Sequence, residues 1–137
     1  VAGAPVGIEL FHGYTYSGHP LASAAAIATL ELHRADDLPG RAKAMEPYFE
    51  QAAHSMRDIP GVIDVRNLGL VAGIELQPRA GAPGTRAMEV FRWCFDHGVL
   101  TRVTGDIVAL SPPLIVEKPQ VDRLFGTLTD AIKAVAA

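Results

Sequence analysis

The order of helical and strand patterns in this 137-residue chain predicts an α+β fold: a small, mostly antiparallel sheet packed with helices. Apolar residues recur at helical spacing in four segments of the chain. The β-rich runs come as two adjacent pairs, each pair separated by a few turn residues, and do not alternate singly with helices. Strands that follow one another across a short turn pair antiparallel, and the helices are expected to cover the resulting sheet.

Two helices are expected in the first half of the chain. The first begins at Pro20, where a missing N–H costs nothing, and runs to about Arg34. Asp36 and Asp37 stand where a helix N-cap is needed, so a second helix is expected from there to about Arg57. The predicted apolar faces are Leu21, Ala24, Ala25, Ala28 and Leu32 in the first helix, and Ala42, Met45, Phe49, Ala52 and Met56 in the second.

Turn residues separate the strands of each predicted pair. Residues 67–69, Asn-Leu-Gly, lie between the runs VIDVR and LVAGIEL, and Thr104-Gly105 lies between VLTRV and DIVAL. The intervening segment PRAGAPG, residues 78–84, is a loop by composition. The four strands are therefore expected as a hairpin and a second adjacent pair.

Two further helices flank the second strand pair. Thr85 is expected to cap a helix that Gly98 closes just beyond its end, with Met88, Phe91, Cys94 and Phe95 as core positions. Pro119 opens the last helix, whose expected inward face is Val121, Leu124, Leu128, Ile132 and Val135.

Composition excludes several classes of function. The chain is 49% hydrophobic and 20% charged, with a formal net charge of −3 and no basic block, so nucleic acid is not an expected partner. No apolar run approaches the ~20 residues that span a bilayer, so no membrane is expected. The single cysteine, Cys94, allows no internal disulfide and fits a reducing, cytoplasmic location. The five histidines lack metal-ligand spacing, and no metal site is expected.

The start of the chain suggests that it was processed or belongs to a larger protein. VAGAPVGIEL has no charged region before an apolar stretch, unlike a signal peptide, and it lacks an initiator Met. We therefore expect a processed product or a piece of something longer.

A polar turn, HGYTYSGHP at residues 12–20, precedes the first helix. Hydroxyls on Tyr14, Thr15, Tyr16 and Ser17 stand just before a helix start, where free N–H groups and partial positive charge attract anions such as phosphate. Gly13 would let the backbone approach such a ligand closely. The alternative is an ordinary helix cap with turn glycines.

An arginine, Arg102, interrupts the apolar strand VLTRV. A guanidinium is costly in such a place, and arginine is the side chain suited to bidentate binding of a carboxylate. One interpretation is a clamp for a substrate carboxylate. The other is an arginine at a strand edge that points to solvent or pairs with Asp106.

Three stretches occur here in the order found in one family. They are FHGYTYSGHPLA, then PYFEQAAHSM with PGVIDVRNLGLVAGIEL, then GVLTRVTGDIVALSPPLIVEKPQVD. On these residues the chain resembles the C-terminal part of class III, or ω-type, pyridoxal-phosphate aminotransferases, and most of all the β-alanine or ω-amino acid:pyruvate branch. Ala109 stands where ornithine-type relatives have an arginine, which favours that branch.

The resemblance implies a cofactor and a set of site residues. The loop matching Gly13, Tyr14 and Thr15 would bind the phosphate of pyridoxal 5'-phosphate, with the Thr15 hydroxyl reaching the cofactor of a neighbouring subunit. The position of Arg102 would bind the carboxylate of the amino acid or keto acid. Residues 1–18 are then the lead-in with the phosphate loop, and residues 19–137 are the small domain, of the kind found at the C-terminus of fold-type I transferases.

The residues that carry out the chemistry in the family lie upstream of the matched segment. They include the Schiff-base lysine, the aspartate beside the pyridine nitrogen and the aromatic residue that stacks on the ring. The three lysines here, Lys43, Lys118 and Lys133, match no such motif. Because transamination requires a lysine amine, we expect this chain alone to be inactive, to hold no covalent cofactor and to lack the large domain.

Three hypotheses for the function therefore remain open. The chain is part of an enzyme that transfers an amino group from an ω-amino acid to pyruvate, acting as a homo-oligomer or with the missing large domain. Alternatively, it is a non-catalytic module whose alanine-rich helix face docks on a partner or on another copy. A third hypothesis is a stand-alone domain that binds small acids or phosphate through Arg102 or the turn at residues 13–18.

Overall fold

The computed structural model describes residues 14–136, and within them four helices and four strands follow the predicted order. The helices are α1 (Pro20–Ala35), α2 (Leu38–His54), α3 (Thr85–Asp96) and α4 (Lys118–Ala136). The strands are β1 (Val62–Leu68), β2 (Val71–Leu76), β3 (Arg102–Thr104) and β4 (Ile107–Leu110). The chain divides after Asp36 into two compact units, the first containing α1 and the second containing every other element.

The four strands form one antiparallel sheet in the order β1-β2-β4-β3. The two sequence-adjacent pairs are hairpins, and β2 pairs with β4 in the middle, so β1 and β3 are the edge strands. Together with the helices this confirms the predicted α+β class with a small antiparallel sheet.

The turn of the first hairpin is shorter than predicted. Asn67 and Leu68 extend β1 because Leu68 pairs directly with Val71, which leaves only Gly69 and Leu70 in the turn. Gly69 has φ of +55°, a conformation that glycine adopts without steric cost. A two-residue connection is the common choice for a tight hairpin, and it sets the register of the whole pair.

One face of the sheet is buried and the other is open. Ile74 on β2 lies opposite Val108 on β4, and both are 0% exposed. Because side chains alternate along a strand, the neighbouring pair Gly73 and Ala109 belongs to the opposite face. On that face Arg66 of β1 pairs with Glu75 of β2 at 2.8 Å between Nη1 and Oε2.

Helices α2, α3 and α4 cover the buried face of the sheet. Contacts join α3 to α4, α2 to α4, α2 to β1, and α3 to both β3 and β4. The rings of Phe49 on α2 and Phe125 on α4 meet edge to face, with centroids 5.2 Å apart. Among the described residues, the largest fully buried side chains are those of Phe49, Met56, Ile74, Leu76, Leu128 and Ile132.

Capping residues set the start and end of α2. Asp37, with φ of +44°, is the N-cap, and its Oδ1 accepts a hydrogen bond from the Gly40 N–H at 3.3 Å. Asp36 is instead the C-cap of α1. The helix ends at His54, earlier than predicted, but Met56 just beyond its end is still buried, at 1% exposed.

The predicted inward face of α3 was largely wrong. The structure buries Ala87, Val90 and Cys94, and it leaves Met88 and Phe95 38% and 62% exposed. Two apolar stripes run along this helix, and the stripe of smaller side chains is the one that packs on α4 and the sheet. Small residues allow close approach between packed elements, and Met88 and Phe95 remain outside.

The N-terminus of α3 also differs from the prediction. Gly84 is the N-cap, and Thr85 is the first helical residue, whose Oγ1 donates to the Ala82 carbonyl at 2.7 Å. The Gly84 N–H donates to Oδ1 of Asp106 at 2.7 Å. The turn between β3 and β4 therefore holds the start of this helix.

Helix α1, which lies in the first unit, contains no buried residue. The bounds of the helix match the prediction, since it begins at Pro20 and ends at Ala35. Its large apolar side chains are all more than half exposed: Leu21, Ile27, Leu30 and Leu32. Between residues 14 and 136, no helix has the length and apolar character needed to cross a membrane.

Candidate functional site

The polar turn before α1 is an exposed helix-start loop. The Ser17 N–H donates to the Tyr14 carbonyl at 2.9 Å, and the His19 N–H donates to the Tyr16 carbonyl at 3.3 Å. His19 is the N-cap of α1, because its Nδ1 accepts from the Ala22 N–H at 3.5 Å. His19 therefore realises the alternative of a helix cap with turn residues.

The hydroxyl-bearing side chains of this turn lie at the surface of their unit. Thr15 and Ser17 are exposed, and Tyr14 and Tyr16 are 70% and 85% exposed. The third predicted phosphate-loop residue, Gly13, lies outside the described residues. The exposed hydroxyl of Thr15 can donate a hydrogen bond to an anion, and α1 begins five residues later in the chain.

Arg102 is the first residue of the edge strand β3, and it lies on the open face of the sheet. It pairs with Ala109 of β4, which in turn pairs with Gly73 of β2. Directly opposite residues project to the same side of a sheet, so a row of two small residues lies beside the arginine. The guanidinium of Arg102 therefore has room on this face for a ligand.

The expected protein partner of Arg102 is engaged elsewhere. Asp106 accepts the hydrogen bond from Gly84 at the start of α3. The ion pairs found between residues 14 and 136 involve only Arg66 and Arg79, so Arg102 has no carboxylate partner in the described part of the chain. The arginine is exposed, as the second interpretation of the sequence expected, but it does not pair with Asp106.

A cavity of about 650 Å³ lies at this edge of the sheet. Its walls come from residues 98–102 with β3, from residues 109–113 with the end of β4, and from the first turns of α4. The lining includes Arg102 and a second arginine, Arg123, and it contains neither an acidic side chain nor a lysine. This size falls in the range of small-molecule sites, about 300–1,000 Å³.

Sequence reasoning missed Arg123. The residue lies on the exposed side of the predicted helical pattern, beside Asp122, where an arginine ordinarily indicates only a solvated helix face. Only the packing of α4 beside β3 and β4 brings it to the cavity that Arg102 lines. Two cations, Arg102 and Arg123, therefore line one cavity.

The chain supplies part of what pyridoxal phosphate requires. The exposed Thr15 hydroxyl at a helix start fits a phosphate, and the cavity beside Arg102 fits a carboxylate. The three lysines are exposed and line neither this cavity nor the smaller one beside β1, and Nζ of Lys118 lies 4.9 Å from the centre of the Tyr48 ring. The described residues therefore offer a hydroxyl suited to a phosphate and an arginine suited to a carboxylate, but no amine at the cavity.

The other candidate groups have structural surroundings. Burial raises the pKa of the Cys94 thiol to about 11, which makes the thiol unreactive near neutral pH. His54 Nε2 lies 2.8 Å from the Asn67 Oδ1, and the His97 ring stacks on Trp93 with centroids 3.5 Å apart. Across residues 14–136, no cluster of three or more His, Cys, Asp or Glu side chains could hold a metal ion.

Comparison with known proteins identifies the family. The model of the family "Aminotransferase class-III" matches residues 2–132. The chain is 65% identical over 126 residues to an omega-aminotransferase of Caulobacter vibrioides and 35% identical over 129 residues to a beta-alanine–pyruvate aminotransferase of Pseudomonas aeruginosa. These alignments cover 92% and 94% of this chain but only 29% of each relative, so the chain spans less than a third of their length.

Solved structures give the same result for the fold. A crystal structure of the omega transaminase of Pseudomonas jessenii in complex with PMP superposes with a TM-score of 0.83 at 32% identity. The match covers 92% of this chain and 29% of that one. The family and this PMP-bound relative indicate that pyridoxal phosphate is the cofactor of the class. On the strength of the match to residues 2–132, this chain belongs to the class III aminotransferases.

Proposed function

We propose that this chain is the small domain and the cofactor-phosphate loop of an ω-amino acid:pyruvate aminotransferase. In the intact enzyme the amino group of an ω-amino acid would pass to pyruvate, with pyridoxal phosphate as its carrier. Residues 1–18 would form the lead-in with the phosphate loop, and residues 19–137 the small domain. The relatives named as omega-aminotransferase and beta-alanine–pyruvate aminotransferase support this assignment.

The observation that carries the proposal is the unpaired guanidinium of Arg102 at the cavity. A cation with no ion-pair partner among residues 14–136, beside small residues on an open sheet face, is suited to an anionic ligand. We propose that Arg102 binds the carboxylate of the amino acid or keto acid. The arginine would orient the substrate, and the apolar walls would exclude water around the bound pair.

We propose that Thr15, with Tyr14 and Gly13, binds the phosphate of the cofactor held by a neighbouring subunit. The exposed hydroxyl of Thr15 at the start of α1 supports this role, because it can reach a ligand that this chain does not enclose. The enzyme would accordingly work as a homo-oligomer. A cytoplasmic location is proposed with it, in keeping with one reduced, buried cysteine.

We propose further that the chain alone cannot transaminate. The reaction needs a lysine amine within reach of the substrate, and no lysine lines the cavity that contains Arg102. The lysine would come from a large domain. More than two thirds of each relative lies outside the match, which is enough chain for such a domain.

Binding of a small carboxylate to the chain tests the role of Arg102. Titration of the isotope-labelled chain with propionate or β-alanine should shift the amide resonances of residues 98–103 and 109–111, since the next two residues are prolines without an N–H. Arg102→Gln should weaken this binding roughly tenfold, the share of one charge-assisted hydrogen bond to a carboxylate. Arg92→Gln, at an exposed arginine of α3 outside the cavity, is the matched control and should change nothing.

Either of two results would overturn the assignment of Arg102. One is an unchanged affinity in Arg102→Gln, and the other is an equal loss in Arg92→Gln. A separate measurement addresses the missing lysine: the chain is incubated with one equivalent of pyridoxal phosphate and reduced with borohydride. Stoichiometric labelling of a single lysine, together with turnover of β-alanine and pyruvate, would show that the chain is catalytically complete.

A second candidate function, a non-catalytic docking module, is favoured by one observation. Helix α1 exposes four large apolar side chains and buries none. Such a surface is typical of an interaction site. Sedimentation velocity distinguishes the two candidates. A stable complex between this chain and the purified large domain of a relative favours the enzyme. Tight self-association that is unchanged when that domain is added favours the docking module.

A further inference from the structure

The cavity beside Arg102 contains a second arginine that the proposed carboxylate clamp does not use. Arg123 extends from the first turns of α4 and lines the same cavity of about 650 Å³. A Cβ placed on Gly98 would lie 2.8 Å from its Nη2, so the guanidinium is seated directly over that glycine. The end of α3 thus supplies the space in which this side chain rests.

No carboxylate neutralises Arg123 within residues 14–136. The described ion pairs do not include it, and the acid next to it in sequence is committed elsewhere. Asp122 accepts a hydrogen bond from the Tyr48 hydroxyl at 2.5 Å, which directs that carboxylate toward α2. The charge of Arg123 is therefore available to a ligand in the cavity.

Two guanidiniums with no acidic neighbour raise the positive potential of one small space. They come from different elements, Arg102 from β3 and Arg123 from α4, and both line the cavity. Their mutual repulsion is offset only when anions enter. A single carboxylate satisfies one of the two, whereas a ligand with a carboxylate at each end satisfies both.

We propose that Arg123 is a specificity residue that makes this cavity prefer dicarboxylates, with one carboxylate on Arg102 and the second on Arg123. This inference rests on the proposed role of Arg102 and adds the substrate class of the same site. The cavity volume accommodates a four- or five-carbon dicarboxylate. The enzyme would then accept amino donors or keto acids with an acidic group at both ends in addition to monoacids.

Paired ligands that differ in one charge provide the test. The labelled chain is titrated at low ionic strength with succinate and with succinamate, its monoamide of equal length. Succinate should bind more tightly by roughly fivefold beyond the statistical factor, as expected of one additional, partly exposed ion pair. Added salt should reduce this preference, because such pairs are screened within about 10 Å at 0.1 M.

Substitution of each arginine separates this inference from the proposed function. Arg123→Gln should abolish the preference for succinate while succinamate binding persists, and Arg123→Lys should retain part of it. Arg102→Gln should weaken both ligands, and Arg92→Gln should affect neither. The fold of each variant is checked by the dispersion of its amide spectrum, and all three arginines are exposed.

The possible outcomes are distinct. If Arg102→Gln weakens both ligands but Arg123→Gln leaves their ratio unchanged, the dicarboxylate inference fails and the role of Arg102 stands. An equal loss of both ligands in Arg123→Gln also overturns the inference, since it indicates only a general field effect. If Arg102→Gln weakens neither ligand, the proposed function fails and this inference fails with it.

Discussion

Replacing Gly98 by alanine probes the corner where α3 ends beside the cavity. Gly98 has φ of +76°, and the turn forms the paired hydrogen bonds of a Schellman motif. The Val99 N–H donates to the Cys94 carbonyl at 2.9 Å, and the Gly98 N–H donates to the Phe95 carbonyl at 3.0 Å. Alanine must adopt the same backbone conformation to retain these two bonds.

The expected cost comes from two sources of different size. A side chain in the left-handed region costs about 1–2 kcal/mol. The new Cβ would also lie 2.8 Å from Nη2 of Arg123, but that atom is the end of a long side chain and can move aside at little cost. We therefore expect Gly98→Ala to lower the free energy of unfolding by about 1–2 kcal/mol, nearly all of it from the backbone.

Urea denaturation followed by circular dichroism measures this cost. The midpoint should fall with an unchanged slope, and the melting temperature should drop by about 4–8 °C for each kcal/mol. In an Arg123→Ala background the cost of Gly98→Ala should be the same within about 0.5 kcal/mol. A larger difference would show that the guanidinium, not the backbone, determines the cost.

Gly126→Ala is the matched control. Gly126 lies in the middle of α4, and apart from its chain neighbours and the backbone of its own helix, no described atom lies within 4 Å of the position its Cβ would take. Alanine there should stabilise the protein by about 0.5–1 kcal/mol, since it reduces the freedom of the unfolded chain. If Gly98→Ala is as stable as the wild type, the assignment of a strained helix end is incorrect.

Three other measurements test the packing and the electrostatics. Because burial raises the pKa of the Cys94 thiol to about 11, the thiol should resist Ellman's reagent until the chain unfolds. The free energy of unfolding should fall as pH rises from about 9 to 11, because in that range the thiol ionises only in the unfolded chain. Cys94→Ala should remove that decline. The hydrogen bond to Asp122 raises the pKa of Tyr48, so in a variant lacking the other two tyrosines Asp122→Asn should shift the phenolate absorbance titration to lower pH. A chain of residues 37–137 should fold by itself and unfold in one cooperative urea transition, since the buried core of the described residues lies within it, and a chain without such a transition would contradict this.

Local patterns in the sequence determined most of the secondary structure. Pro20 and Asp37 set helix starts, and Gly98 set a helix end, through chemistry that acts within one turn. The paired β-rich runs implied hairpins because two strands joined by a short turn can pair only antiparallel. The predicted face of α4 also agrees, with Val121, Leu128 and Ile132 buried, since that helix has one unambiguous apolar stripe.

Tertiary packing decided the features that sequence left open. Helix α3 carries two apolar stripes, and only its fit against α4 and the sheet selected the one with Ala87 and Val90. The sequence pattern singled out Arg102 but did not predict that Arg123 lines the same cavity. Hydrophobic periodicity shows which residues face the core, and it does not show which helix end lies beside which strand edge. Residues that are distant in sequence come together only through the packing of the helices on the sheet. That packing depends on the shape of the whole core and not on any one segment.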